Sequence, residues 1–303
     1  MKNILILGAG GFIGREIYKQ LIQDSRYQIM VLLHENFDYK DYEDANVIVG
    51  NLKSFNERWL KKYPPDIVFH LARFAGRWNI TRGKASSLAY KANTRFIQLL
   101  KNNNLAPIII TVSGSLMYGN QSPGKQANEN TKLNPVSFGK YYIKGEDPWI
   151  QEQLRGELDI RFARPGWIVG HNSWFKTFFL DFFYKNKCIP VYGNGSQLMS
   201  LVSLSDCARL IIDMLELPPK NNLNVFSLPP VSQLEFSRKL SRLFETDIEE
   251  VNHKKLSKKF GNTAAEALIS NIPLTSVHEN FYENFVPGHS CLNDILNYGI
   301  KKP

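Results

Sequence analysis

Apolar residues fall in two alternating rhythms along the first two thirds of the chain. Short, nearly continuous apolar runs occupy residues 3–7, 28–33, 47–49, 67–71, 108–112 and 159–164, as expected of strands covered by helices on both faces. Between them Ile13, Ile17 and Leu21 recur at helical spacing, and so do Phe96, Leu99 and Leu100 after Tyr90 and Asn93, as the buried face of a crossover helix does. Strand and helix in alternation predict βαβ units, hence an α/β fold on a doubly wound parallel sheet. Beyond Arg164 the rhythm loosens, and Pro165, Gly166, Gly170, Pro190, Gly193, Gly195 and the pairs Pro218/Pro219 and Pro229/Pro230 punctuate shorter elements. Helices are expected there at 174–184, 206–217 and 234–244. The change of texture predicts a first domain over 1–166 and a smaller C-terminal lobe over 167–303, with 200–227 returning to the first domain. The sequence contains no internal repeat and no low-complexity segment.

The opening run leads straight into Gly8, Ala9, Gly10, Gly11, Phe12, Ile13 and Gly14, ahead of the helix that carries Ile17 and Leu21. Lacking a Cβ, Gly8 can make a tight turn, Gly11 admits a pyrophosphate close to the backbone, and Gly14 lets helix and strand pack closely. Free amides at a helix start favour an anion. At the first βα junction of a doubly wound pattern these residues predict a cradle for the diphosphate of a nicotinamide dinucleotide, NAD or NADP. The second run ends on His34 and Glu35. An acidic residue there would hold the ribose 2′-OH of NAD and a basic one the 2′-phosphate of NADP, and Glu35 tips the balance slightly towards NAD.

Glycines three apart resemble the cofactor turn of the extended short-chain dehydrogenase/reductases, specifically the NAD-dependent epimerase/dehydratase family, and the similarity continues in family order as far as Asp206 and Ala208. Residues 66–72 resemble that family's fourth strand and the turn that lies against the cofactor. Asn51 and Leu52 stand where the family has an Asp and an apolar residue beside the adenine, and Asn93 matches its helix Asn. Residues 164–170 resemble the strand end that opens the substrate lobe, and residues 191–195 a later hallmark. The resemblance implies a Rossmann sheet with a C-terminal substrate-binding lobe. Together with the glycine turn it gives, as cofactor-binding candidates, Gly8, Gly11, Phe12, Ile13, Gly14, His34, Glu35, Asn51, Leu52, Leu71, Ala72, Arg73, Asn93, Tyr142 and Pro165.

In the family a Tyr and a Lys one helical turn apart, helped by a Ser or Thr, move the proton. Here residues 135–146 align without a gap to that stretch, and Phe138 occupies the Tyr position and Tyr142 the Lys position. The hydroxyl expected four residues before Tyr118 is replaced by Gly114. A phenyl ring has no ionisable proton, so the family's relay cannot operate as written. Lys140 and Lys144 lie two residues from Tyr142 and point off that helix face, which predicts surface lysines. Ser113 and Ser115 flank the lost hydroxyl, but strand alternation turns both away. Tyr142 is the remaining catalytic candidate, as a phenol able to hydrogen-bond the ribose or give a proton, with a space-filling aromatic as the alternative. Met199 stands where sugar-nucleotide members carry an Arg, seven residues before Asp206. Arg73, Arg77 and Trp78 could meet an acidic or aromatic substrate or form a solvated loop, and His70 reads as a satisfied core histidine. Pro148, within the helix expected over 136–153, should kink or break it.

The formal charge of +9 admits anionic partners. The densest basic groups, Lys254/Lys255/Lys258/Lys259 and Lys301/Lys302, lack interleaved aromatics and read as solvated faces, so no nucleic-acid partner is expected. Cys188, Cys207 and Cys291 are odd in number and in no metal-ligand or redox spacing, which fits a reducing cytoplasm and no metal. Residues 4–7 are too short for a signal segment and no run reaches membrane-span length, so neither secretion nor membrane is expected. Family members often dimerise through the helices corresponding to 90–101 and 136–153, which makes a homodimer possible. Two functions remain open. One is an atypical NAD(P)-dependent oxidoreductase or epimerase acting on a sugar-nucleotide-like or other carbonyl or hydroxyl small molecule, its identity unknown. The other is a cofactor-binding protein without turnover, redox-sensing or partner-binding.

Overall fold

A computed structural model of the chain describes residues 1–74 and 79–301. The chain divides into two compact units, one drawn from Met1–Ser113, Tyr141–Ala163 and Ala208–Asn222, the other from Gly114–Lys140, Arg164–Cys207 and Leu223–Pro303.

In the first unit the predicted βαβ units form as β1 (Lys2–Leu7), α1 (Phe12–Leu21), β2 (Tyr27–Leu33), β3 (Asn46–Val49), α2 (Glu57–Lys62), β4 (Ile67–His70), α3 (Asn79–Asn102), β5 (Ile108–Val112), α4 (Ser137–Arg155) and β6 (Asp159–Pro165). Seven strands make one sheet in the order β11-β6-β5-β4-β1-β2-β3, where β11 is Leu223–Val225, and the pairings from β6 to β3 are parallel. This is the expected doubly wound sheet. Chain order reverses between β1 and β4, and in such sheets a ligand crevice opens at the carboxyl ends of the strands flanking that point. Strands with apolar residues on both faces are buried on both: Leu5, Met30, Val68, Ile109 and Phe162 pack with Phe96, Leu100 and Trp149 of the helices in one cluster, and Ile4, Ile6, Val31, Phe69 and Ile110, which alternate with them, are buried as well.

Two features of this unit were not legible in advance. Of the kink or break expected at Pro148, the break does not occur: α4 continues as one helix through it. The amide that Pro148 lacks would have met the carbonyl of Lys144, an exposed residue whose carbonyl can stay hydrated. Arg161, on the otherwise apolar β6, is 2% exposed. Its guanidinium pairs with Asp159 at 2.6 Å and donates to the carbonyls of Met214, Leu215 and Leu217. It thereby caps the chain that leaves α6 (Leu204–Asp213), whose last carbonyls have no helical partner.

In the second unit β7 (Trp167–Val169) pairs in parallel with β10 (Leu201–Ser203), β8 (Ile189–Tyr192) in parallel with β13 (Ile248–Val251), and β9 (Leu198–Met199) antiparallel with β12 (Val231–Ser232). The stretch expected as one helix at 174–184 contains a π-helical turn, Lys176–Leu180, before α5 (Asp181–Asn186). α7 (Gln233–Leu243) matches the helix expected at 234–244, and α8 (His253–Phe260) carries the lysine face. α9 (Asn262–Ile269), α10 (Glu279–Asn284) and α11 (Leu292–Ile300) follow, in a region where the residue pattern announced no element. Phe175, Phe179, Tyr192, Phe236, Leu240, Leu256, Leu268 and Leu296 form the core. Met199 is buried. Among the described residues no helix is long and apolar enough to cross a membrane.

Removing the Arg161 charge strands Asp159 and three carbonyls together. Arg161→Met should lower unfolding free energy by roughly 3–5 kcal/mol, read as a shift in the urea midpoint.

Candidate functional site

The glycine turn is built by close approach. Gly8 has φ +91°, and a Cβ there would stand 2.7 Å from the Ala72 nitrogen; a Cβ at Gly14 would stand 2.3 Å from the Gly8 carbonyl oxygen. Only glycine fits either place. The turn after β1 is thus pressed against the turn after β4, and the Leu71 amide donates to the Leu7 carbonyl at 2.8 Å. Gly11 is the N-cap of α1 with extended φ −74°, no side chain caps the helix, and its first turn carries no acidic residue. Arg15 is the residue whose amide bonds back to Gly11, so the amides of Phe12, Ile13 and Gly14 belong to the first turn, which lacks intrahelical acceptors. The helix end offers donors and partial positive charge to an anion. These residues fit a diphosphate.

Beyond β2 the chain folds back on the turn. The Phe37 ring fills the space a Gly10 Cβ would take, 2.6 Å away. Arg15 lies over that ring at 5.8 Å and pairs with Asp41 at 3.6 Å, and Tyr42 donates to the Ala9 carbonyl at 2.8 Å. His34 and Glu35 are exposed, and their carbonyls accept from the Tyr39 hydroxyl. Asn51 makes a local turn by accepting from the Lys53 and Ser54 amides, and Leu52 is buried. Phe37 and Tyr42 were missed in the sequence because nothing in their spacing announces a contact with a glycine.

At the ends of β4 and β5 a cavity of about 40 Å³ is lined by His70, Arg73, Arg82, Ser86, Asn93, Tyr142, Glu146 and Trp149, among others. Arg73 donates to the carbonyls of Val112, at 3.2 Å, and Ser113, and its guanidinium lies 5.1 Å from the centre of the Tyr142 ring. Arg73 is therefore pinned, not a loosely solvated loop residue. Arg77 and Trp78 lie outside the described residues. Ser113 donates to Glu146 at 2.7 Å, and Asn93 to the Gly145 carbonyl at 2.8 Å. Lys140 and Lys144 are exposed, Lys144 donating to Ser87. His70 is buried as expected, its ring edge-on to Trp149 at 5.2 Å. It is not satisfied, because Nε2 has no hydrogen-bond partner. Burial, with the Arg73 charge adding to it, lowers its pKa to about 4; Asn93 stands near enough to oppose this but outside hydrogen-bond geometry.

The other catalytic-position residues belong to the second unit. Phe138 packs edge-on against Trp174 at 5.3 Å, and Trp174 in turn against Trp167 at 5.7 Å. Gly114 has extended φ 177°, and a Cβ there would meet nothing within 4 Å. Pro165 is buried at the end of β6. Asp206 accepts from Ser203 and from the Gly288 and His289 amides, a structural clasp.

The model of a family described as "NAD dependent epimerase/dehydratase family" matches residues 4–225. A dTDP-4-dehydrorhamnose reductase of Aggregatibacter actinomycetemcomitans is 25% identical over 183 residues, 58% of this chain and 56% of that protein. The uncharacterized protein y4nG of Sinorhizobium fredii is 23% identical over 218 residues, 70% of this chain and 53% of that protein. The chain thus spans about half the length of these two relatives. The UDP-glucuronic acid 4-epimerase of Bacillus cereus, solved with UDP-glucuronic acid and NAD, superposes with a TM-score of 0.71 at 17% identity over 98% of each chain.

The buried His70 makes stability pH-dependent. Its folded pKa of about 4 lies below the ordinary 6.5, so the unfolded chain binds the proton first. Stability should fall by roughly 3 kcal/mol between pH 7 and pH 4 on this account and no further below it. Urea titrations across that range should show the loss, flattened in His70→Gln.

Proposed function

The chain belongs to the NAD dependent epimerase/dehydratase family, and from that premise we propose that it binds NAD or NADP at the turn from Gly8 to Gly14. It acts there as an oxidoreductase or epimerase on a sugar-nucleotide-like or other carbonyl- or hydroxyl-bearing small molecule, without the family's Tyr–Lys pair. The observation that carries this is the cradle itself: two glycines that no other residue could replace, beside a helix start free of side-chain caps and acidic residues. Phe12, Ile13 and Gly14 would hold the diphosphate, Glu35 the adenosine ribose of NAD, and Ala72, Arg73 and Tyr142 would stand towards the nicotinamide end. Bound, the cofactor supplies or takes a hydride.

The chain's own part is the proton. Phe138 has none to give, and it packs on the Trp174 ring. Tyr142 retains a hydroxyl, and the cation that the helix no longer carries at this position is provided by Arg73 over the Tyr142 ring. That pairing favours turnover over binding alone. Sugar nucleotides are the natural first substrates to try, given those named for its relatives. Three unpaired cysteines suit a reducing compartment, and exposed Leu88 and Tyr90 on α3 and Leu154 on α4 suit pairing of two copies.

Calorimetry with NAD and NADP tests the cradle. Gly11→Asp should stay folded, since Asp is a good N-cap and its Cβ would stand 3.2 Å from the Gly8 carbonyl oxygen, yet weaken binding at least ~100-fold because its carboxylate takes the diphosphate's place. Unchanged binding would remove the proposal. With NAD and UDP-glucose, any slow change in nicotinamide absorbance should vanish in Tyr142→Phe. The triple variant Gly114→Ser, Phe138→Tyr, Tyr142→Lys should raise the rate ~100-fold or more, the new Ser entering open space.

A further inference from the structure

Three exposed apolar side chains of the second unit meet at one end of it. Tyr184, 56% exposed, lies in the last turn of α5; Leu243, 39% exposed, ends α7; and Ile248, 37% exposed, starts β13. Contacts between these elements bring the three together. The Phe183 ring lies 4.3 Å from the Phe244 ring, the Thr246 hydroxyl donates to the Lys187 carbonyl, and Ile248 pairs with Ile189. Apolar residues scattered singly over a surface are ordinary, but a group of them set side by side marks a contact.

Cations surround the same end. α8 joins it where the Lys259 ammonium lies 4.4 Å from the centre of the Phe182 ring of α5. Among the described residues Lys185, Lys187, Lys239, Arg242, Lys258 and Lys259 form no salt bridge, whereas Lys255 pairs with Glu249 at 3.4 Å. Burial, and then the Lys185 charge, lower the Lys259 pKa from its ordinary value, so two like charges are held near each other. That repulsion is relieved by an anionic partner. Glu245, Asp247 and Glu250 stand on the same segments and are outnumbered by the unpaired cations. In sequence the lysines of α8 stand alone; the fold sets an apolar group beside them.

The combination selects the partner. A nucleic acid would use the charge and could stack on Tyr184, but it gives Leu243 and Ile248 nothing to bury against. A second copy meeting this patch with its own would bring the same cations face to face. An anionic bilayer offers phosphate to the cations and hydrocarbon to the apolar side chains at once. We propose that this end of the second unit rests on an anionic lipid surface, with Lys185, Lys187, Arg242 and Lys259 on the headgroups and Tyr184, Leu243 and Ile248 at the headgroup–acyl boundary. Such residence needs no membrane-crossing helix and uses no residue of the first unit.

Co-sedimentation of the full chain with lipid vesicles tests this. Vesicles of phosphatidylglycerol and phosphatidylcholine in equal parts should carry the protein down, vesicles of phosphatidylcholine alone should not, and added salt should release it. Lys185→Gln with Lys259→Gln should weaken vesicle binding roughly 25-fold, about fivefold for each charge. Leu243→Ser with Ile248→Ser should weaken it at least ~10-fold, each variant keeping a single cooperative melting transition. Equal sedimentation with both lipids, or binding indifferent to either pair of substitutions, overturns the proposal. So does retention by poly(U) RNA, or dimerisation lost in the same variants, where no vesicle binding occurs; those results assign the patch to nucleic acid or to a second copy.

Discussion

Missing Cβ atoms at Gly8 and Gly14 hold this structure's functional end together. With any side chain at Gly14 the helix start could not rest on the Gly8 carbonyl, and with one at Gly8 the first turn could not lie on Ala72. Because both contacts exist, the N-terminus of α1 and the ends of β1 and β4 converge where the sheet reverses its order. Phe37 and Tyr42 close over the same turn from the far side, the first against Gly10 and the second onto the Ala9 carbonyl. Backbone donors are thereby aimed at one point without any charged side chain being committed to it.

On the proposed reading, proton transfer falls to position 142 of α4 and not to position 138. Position 138 packs on the Trp174 ring and against Tyr118, Val136 and Leu274 in the second unit. One turn later, Tyr142 meets a pinned guanidinium and a cavity with polar walls. Polar walls thus surround position 142, and a mainly apolar cluster surrounds position 138. The environment, not the residue type alone, decides which hydroxyl can exchange a proton.

Buried charge elsewhere serves the fold. Arg161 gathers the last carbonyls after α6 and the Asp159 carboxylate, and Asn222 accepts from the Phe162 amide on the same strand. Such groups are costly to bury and remain because every partner is satisfied. His70 is the contrast: burial holds it neutral and leaves its Nε2 unmatched.

The sequence by itself determined the sheet and the cradle. Strands buried on both faces must read as unbroken apolar runs, and a turn that tolerates no Cβ must read as glycine, so β1 to β6 and Gly8, Gly11 and Gly14 were visible in residue order alone. Helical spacing likewise announced α1, α3 and α7. What tertiary structure decided were contacts between residues far apart in sequence: Arg73 on the carbonyls after β5, Phe37 on Gly10, Trp149 beside His70, and Ser113 on Glu146. It also carried α4 through Pro148, where an exposed Lys144 carbonyl can do without its amide. Spacing records which residues share one element's face, but a cavity wall is assembled from several elements, and its unmatched atoms exist only once those elements have met.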